Sequence, residues 1–366
     1  MIKKVIVLTF GILFLVTGRV GAQEEDIPFR IEENLEARIS RVLEEEEVEV
    51  IGQKQLYQKL ELEITKGTLK GEKREVEVGN MPMALNHVYK VNDRVVLARQ
   101  NDLNGEEMLT IVDFVRRDSL ILLFGIFTLV TLVVAKKKGV RSIASMAITF
   151  LVIFNFILPR ILKGSDPILI TIIGSLGIIP ITFYLAHGNG KKTSVAIGAT
   201  VISLLITGVL ATVFANLANL TGIASEEAGI LLAIRDGGMN MKGLLMAGML
   251  VGALGILDDI TVSQAAIVEQ LAAASEKLKF SELYKRAMKV GEDHIASMIN
   301  TLVLVYAGAS LPLLLIFINN PHPFSEIVNY EFIAEEIVKT LVGSIGLITA
   351  VPISTLMACL AIKGKG

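Results

Sequence analysis

Asp258 and Asp259 interrupt an apolar run, GLLMAGMLVGALGILDDITVSQAAIVEQL, that extends from Gly243 to Leu271. Gly248, Gly252, Gly255, Asp259 and Ser263 follow one another at steps of four, three, four and four, so on a helix they share one face, and that face carries a carboxylate. A second apolar run, GEDHIASMINTLVLVYAGASLPLLLIF from Gly291 to Phe317, opens with Asp293 and His294 and places Ser297, Asn300 and Thr301 in its first turns. An ionisable group at membrane depth costs roughly 2.5 to 3.5 kcal/mol on insertion scales unless it faces protein or water, so such groups are candidates for transport or proton coupling. A plainer reading stands beside each. Asp258 and Asp259 fall about 25 to 27 Å along a helix counted from Met241, close enough to a membrane boundary to meet water or to pair with Lys289 or His294. His294 would titrate near neutral pH beside an aspartate, or be a satisfied interface residue. Ser297, Asn300 and Thr301 line a polar path or hydrogen-bond helices together. Asp258 points about 100° away from Asp259, so Asp259 is the one expected to face a helix-packing groove at Gly248, Gly252 and Gly255, with His294 as its partner.

The elements that carry these residues are membrane spans. Apolar residues make up 52% of the chain, mean hydropathy is +0.60, and several stretches reach the roughly 20 residues that a hydrocarbon core requires. Seven spans are expected: 119–135, 142–158, 167–186, 193–220, 241–260, 295–317 and 337–362. Alternate connections differ in charge. One set, with KKKGVR, GNGKK, residues 271–290 and the KGKG tail, holds 13 cations; the other holds four, Arg160, Lys163, Arg235 and Lys242. The positive-inside rule then puts the C-terminus in the cytoplasm of a bacterial cell membrane and the N-terminal part outside.

Residues 1–22 combine Lys3 and Lys4, an apolar stretch and small residues at Gly21 and Ala22, which reads as a signal peptide or as an uncleaved anchor helix. Residues 23–118 are a separate, exported domain. From 24 to 118 the chain carries 22 Asp and Glu against 14 Lys and Arg, while the remainder is net basic. Alternation at Leu60, Leu62 and Ile64 and at Val76 and Val78, with further strands over 88–98 and 108–114, predicts about five short strands. Turns are expected at Lys66-Gly67, Lys70-Gly71, Gly79-Asn80, Asn92-Asp93 and Asn104-Gly105. The expected fold is a small antiparallel barrel, OB-like or similar, ahead of a polytopic α-helical membrane domain at 119–366. The Glu44 to Glu47 run reads as a solvated edge or loop, and Cys359 as a packing residue.

Two connections are longer than links. The outer one, 219–243, holds a helix-length apolar piece closed by Arg235, Asp236 and two glycines. It is either re-entrant or flat on the outer surface. The inner one, about 264–292, reads as a cytoplasmic helical hairpin whose basic face suits anionic lipid.

With its exported β-domain, GILDDITVSQAAIVEQL and GEDHIASMINTLVLVYAGASLPLLLIF, the chain resembles the YibE/F family of multi-spanning bacterial membrane proteins over nearly its whole mature length. That resemblance implies topology and leaves the chemistry to the residues. The pattern Ala287, Gly291, Ser297, Thr301 after an acid-bearing small-residue helix is also similar to the SecD/SecF and RND membrane core, where the likeness implies an acid in proton coupling. Extra spans, a single small exported domain and no visible duplication depart from that pattern.

The sequence therefore points to an integral membrane permease or export-associated protein, coupled if at all to the proton gradient. The alternative is an envelope scaffold or assembly factor that binds a partner through its β-domain. An intramembrane enzyme is the weakest class, because no convincing nucleophile and base stand together, and no Walker loop, HExxH or metal-spaced His/Cys cluster occurs. No cofactor, metal or nucleic acid is implied. The expected partners are the lipid bilayer and either an envelope protein or further copies of the chain.

Overall fold

A computed structural model describes residues 31–80, 87–101, 107–234, 238–319 and 322–363. The expected signal peptide, the Asn104-Gly105 turn, Arg235 and Asp236 lie outside the described residues. The described chain forms two compact units, 31–130 and 131–363.

The first unit is built on five antiparallel strands: β1 (Ile31–Val50), β2 (Gln53–Lys66), β3 (Lys73–Val78), β4 (Arg94–Asn101) and β5 (Glu107–Phe114), in sheet order β3-β2-β1-β4-β5. Three register shifts in the β1/β2 ladder bend the long first strand. The sheet curls into a half-barrel, and Arg74 of β3 reaches Glu107 of β5 at 4.0 Å. Its core is Leu35, Ile39, Leu60, Leu62, Ile64, Val95 and Leu97, the inward members of the alternating pattern. Ile51 and Gly52, both at positive φ, turn β1 into β2, a hairpin signal that the sequence reading did not include.

One expectation is corrected here. Residues 88–93 are not strand: Asn92 takes φ 76°, the Asp93 carboxylate accepts from the Lys90 amide at 2.8 Å, and β4 starts at Arg94. Glu44 to Glu47 form a solvated strand edge, one of the two forms expected, and pair with 56–59 of β2 on the other side. β4 pairs with β1 only as far as Arg38. Beyond it, the edge of β1 that no described strand pairs is a row of glutamates, the kind of charge that keeps edge strands from pairing with other chains.

The second unit is helical. Its elements, with the helix that leads into it, are α1 (Arg117–Val152), a π-turn at Ile153–Ile157, α2 (Leu158–Leu162), α3 (Pro167–His187), α4 (Lys191–Leu217), α5 (Glu226–Ile234), α6 (Met241–Ala274), α7 (Phe280–Ala309), α8 (Leu311–Ile318), α9 (Phe324–Ile327) and α10 (Glu331–Lys363). Among the described residues, five stretches are long and apolar enough to cross a membrane: Arg117–Leu162, Pro167–His187, Lys191–Leu217, Met241–Ala274 and Glu331–Lys363. The pair α7 and α8, bent by 75°, makes a sixth if it is one broken span. The protein is thus a helical membrane protein with an N-terminal β-domain. The expected spans at 119–135 and 142–158 fall within one helical stretch, which is interrupted at Lys136 (φ 51°, ψ −125°). The interruption is a sharp turn. A Cβ on Gly139 would lie 2.5 Å from the Thr131 carbonyl oxygen, whereas eight residues of unbroken helix rise about 12 Å.

The bend between α7 and α8 follows from Pro312, which lacks an amide hydrogen and crowds the carbonyl four residues back. The inner connection expected at about 264–292 is helical with a turn at 275–279, and its two arms continue α6 and α7 without a break. Asn240 caps α6 by accepting from the Gly243 amide at 2.8 Å. Residues 218–222 are fastened to the start of α10, where Glu331 accepts from the Thr221 hydroxyl at 2.8 Å and the Gly222 amide at 3.2 Å.

Candidate functional site

A cavity of about 440 Å³ lies among α1, α3 and α6. From α6 it receives Gly255, Asp258 and Asp259; from α3, Ser175, Thr182 and His187; from α1, Lys138, Ser142, Ser145 and Thr149. Helical spacing places these residues here. Ser142, Ser145 and Thr149 recur on one face of α1, and Ser175 and Thr182 stand two turns apart on α3.

Most hydroxyl protons are already committed to backbone. Thr149 donates to Ser145 O at 3.1 Å, Ser145 to Thr182 O at 3.2 Å, and Thr182 to Ile178 O at 2.9 Å. What these three groups still offer the cavity is lone pairs. The carboxylates add more. Asp258 is half-buried, and its Oδ1 is buried without a hydrogen-bond partner among the described residues. Ser175 is fully buried and its Oγ is likewise unpartnered. An unpartnered buried carboxylate oxygen is costly, and a proton or a cation from the cavity relieves the cost. Among the described lining residues the one Lys or Arg is Lys138, which stands with His187 at one end. His187 stands within electrostatic reach of Asp259.

The candidate residues read from the sequence divide accordingly. Asp258 and Asp259 both line the cavity, where only one was expected to face the site. The histidine that shares this cavity with Asp259 is His187; His294 is half-buried on α7 and is not among the described residues that line it. Ser263 is half-buried one turn beyond Asp259 and also lies outside the lining. Asp293, Ser297, Asn300 and Thr301 lie on the exposed face of α7, and Thr301 bonds only back to Ser297 O at 3.0 Å. The glycine face of α6 was expected to receive another helix. Instead nothing approaches within 4 Å of a Cβ at Gly248 or Gly255, and only the Tyr306 hydroxyl, at 3.7 Å, approaches one at Gly252.

Helices meet closely elsewhere. Ala287 and Gly291 are buried, and a Cβ on Gly291 would lie 2.5 Å from Val351 and 3.0 Å from Gln264. Gln264, fully buried, donates to Ala287 O at 2.9 Å and to the Thr355 hydroxyl at 2.8 Å. Thr200 and Thr261 share a hydroxyl bond of 2.7 Å, and Ser354 donates to Thr261 O at 2.9 Å. This polar seam joins α4, α6, α7 and α10 through groups that the sequence reading did not single out. Single hydroxyls and one glutamine inside apolar runs carry no periodic signal. Cys359 is buried, as a packing residue would be.

The model of the YibE/F-like protein family matches residues 123–364, the helical region that contains the cavity. No curated protein and no solved structure matches the chain, so the similarity of Ala287, Gly291, Ser297 and Thr301 to the SecD/SecF and RND core finds no support in these comparisons.

Proposed function

The chain belongs to the YibE/F-like family, and from that premise and the cavity around Asp258 we propose a multi-pass permease or export-associated protein of the bacterial cell membrane, coupled to the proton gradient through Asp258. The observation that carries this reading is the buried, unpartnered carboxylate oxygen of Asp258 in a cavity walled by hydroxyls. Splitting the first long helix at Lys136 and counting α7 with α8 yields seven spans, the odd number that an exported β-domain and a cytoplasmic C-terminus require. The basic loops then lie inside, with Lys138 and His187 at the inner mouth of the cavity. Residues 1–22 act as the export signal, and the half-barrel is an OB-like module in which β3 and β5 touch without hydrogen-bonded pairing.

The second reading, an envelope scaffold, is favoured by the open acidic edge of β1, where a partner with a basic surface would dock. The two readings separate on one measurement. Full-length protein in liposomes holding a pH dye should carry protons under an imposed membrane potential, and Asp258→Asn should abolish this while leaving insertion and melting behaviour intact. Equal proton flux in both, or none in either, removes the permease reading.

A further inference from the structure

A second cavity, of about 450 Å³, lies among α5, α6, α7 and α10, toward the beginning of α6. Glu335 lines it and is only 6% exposed. One of its oxygens accepts from Lys339 Nζ at 2.7 Å; the other, Oε2, is buried and has no hydrogen-bond partner among the described residues. Lys339 is already shared, since it also bonds Glu336 at 2.9 Å, so the three groups carry one net negative charge. Glu227 lines the same cavity and adds another. The second cavity therefore repeats the chemistry of the first: a buried carboxylate oxygen lacks a donor, in a space with too little positive charge.

The two cavities touch the same face of α6. Gly248 lines one and Gly255 the other, seven residues or about 10 Å apart. Between them is Gly252, covered by the Tyr306 hydroxyl, and Tyr306 also lines the second cavity. The three glycines keep that face of α6 low between the cavities, with Val251 beside them lining the first. We infer that Glu335 is a second ion-binding carboxylate, and that a small monovalent cation, a proton or sodium, passes between Glu335 and Asp258 along the Gly248, Gly252, Gly255 face with Tyr306 as the constriction. The carboxylate oxygens on both sides suit a hard cation.

This inference rests on the permease reading of Asp258, and the test separates the two. Full-length protein in liposomes is assayed for 22Na+ uptake and, with an internal dye, for proton flux, which distinguishes the two cations. Glu335→Gln keeps the shape and the Lys339 contact but loses the charge; Gly252→Val fills the face without touching either carboxylate. Each should lower the flux of the transported ion about tenfold or more, as Asp258→Asn does, with Glu335→Asp retaining most of it and melting temperatures unchanged. Wild-type flux in both Glu335→Gln and Gly252→Val, with Asp258→Asn inactive, overturns the route and leaves the Asp258 reading standing. Wild-type protein that moves neither ion overturns both.

Discussion

Asp258 and Glu36 show opposite fates for a carboxylate in this chain. Asp258 has one oxygen buried without a donor, in a cavity whose nearby hydroxyls have mostly spent their protons on helix carbonyls. Glu36, in the β-domain, is surrounded by cations. Arg117 donates to its two oxygens at 2.9 and 3.2 Å, Lys66 reaches it at 3.3 Å and Arg94 at 3.6 Å. The Arg117 hydrogen bonds outweigh the opposing effect of partial burial and hold the Glu36 carboxyl below its ordinary value. A carboxyl whose folded value is lowered contributes stability above its unfolded value, and that contribution disappears as pH falls through the folded value. The melting temperature of the β-domain in the solubilised full-length protein should therefore fall more steeply below about pH 4.3 in wild type than in Glu36→Gln. Parallel pH curves would show that Glu36 adds nothing to acid stability.

At the scale of elements, α7 is held by small residues rather than by its polar ones. Ala287 and Gly291 let α7 approach α6 and α10, and Gln264 bridges the contact through its amide. The hydroxyls and amide at Ser297, Asn300 and Thr301 stand on the other side, exposed. Gly291→Val should lower helical-domain stability by about 1 to 3 kcal/mol through overpacking, while Gly308→Val, where nothing lies within 4 Å of a Cβ, should be near neutral. Thermal unfolding of the two purified variants distinguishes them. Equal melting temperatures would mean that α7 moves away at no cost.

For the whole molecule the consequence is topology. The proposed topology, an outside β-domain and an inside C-terminus, rests on the cations of the KKKGVR and GNGKK loops and the lysines that follow α6. With Cys359 replaced by serine, a cysteine at Lys70 in the turn between β2 and β3 should react with an impermeant maleimide in intact cells. One at Gly190, in the connection before α4, should react only after permeabilisation. The reverse pattern would invert the orientation and exchange the inner and outer cavities.

Much of this was legible in the sequence because it depends on composition and period. Apolar length marks a helix as membrane-spanning, alternation at Leu60, Leu62 and Ile64 marks a strand, and the step of three and four residues put Gly248, Gly252, Gly255 and Asp259 on one face. What occupies that face was not legible. The sequence alone suggested a helix against the glycines and His294 beside Asp259; the tertiary structure leaves the glycines open toward two cavities and brings His187 to the first of them. His187 is 72 residues from Asp259 in the chain, and Glu335 is 83 residues from Gly252. Their meeting depends on how helices pack side by side, and periodicity within one helix holds no information about which neighbour lies against it. The unpartnered oxygens of Asp258 and Glu335 are tertiary facts for the same reason. A residue type declares what a group can donate or accept, and only the fold decides whether a partner is within reach.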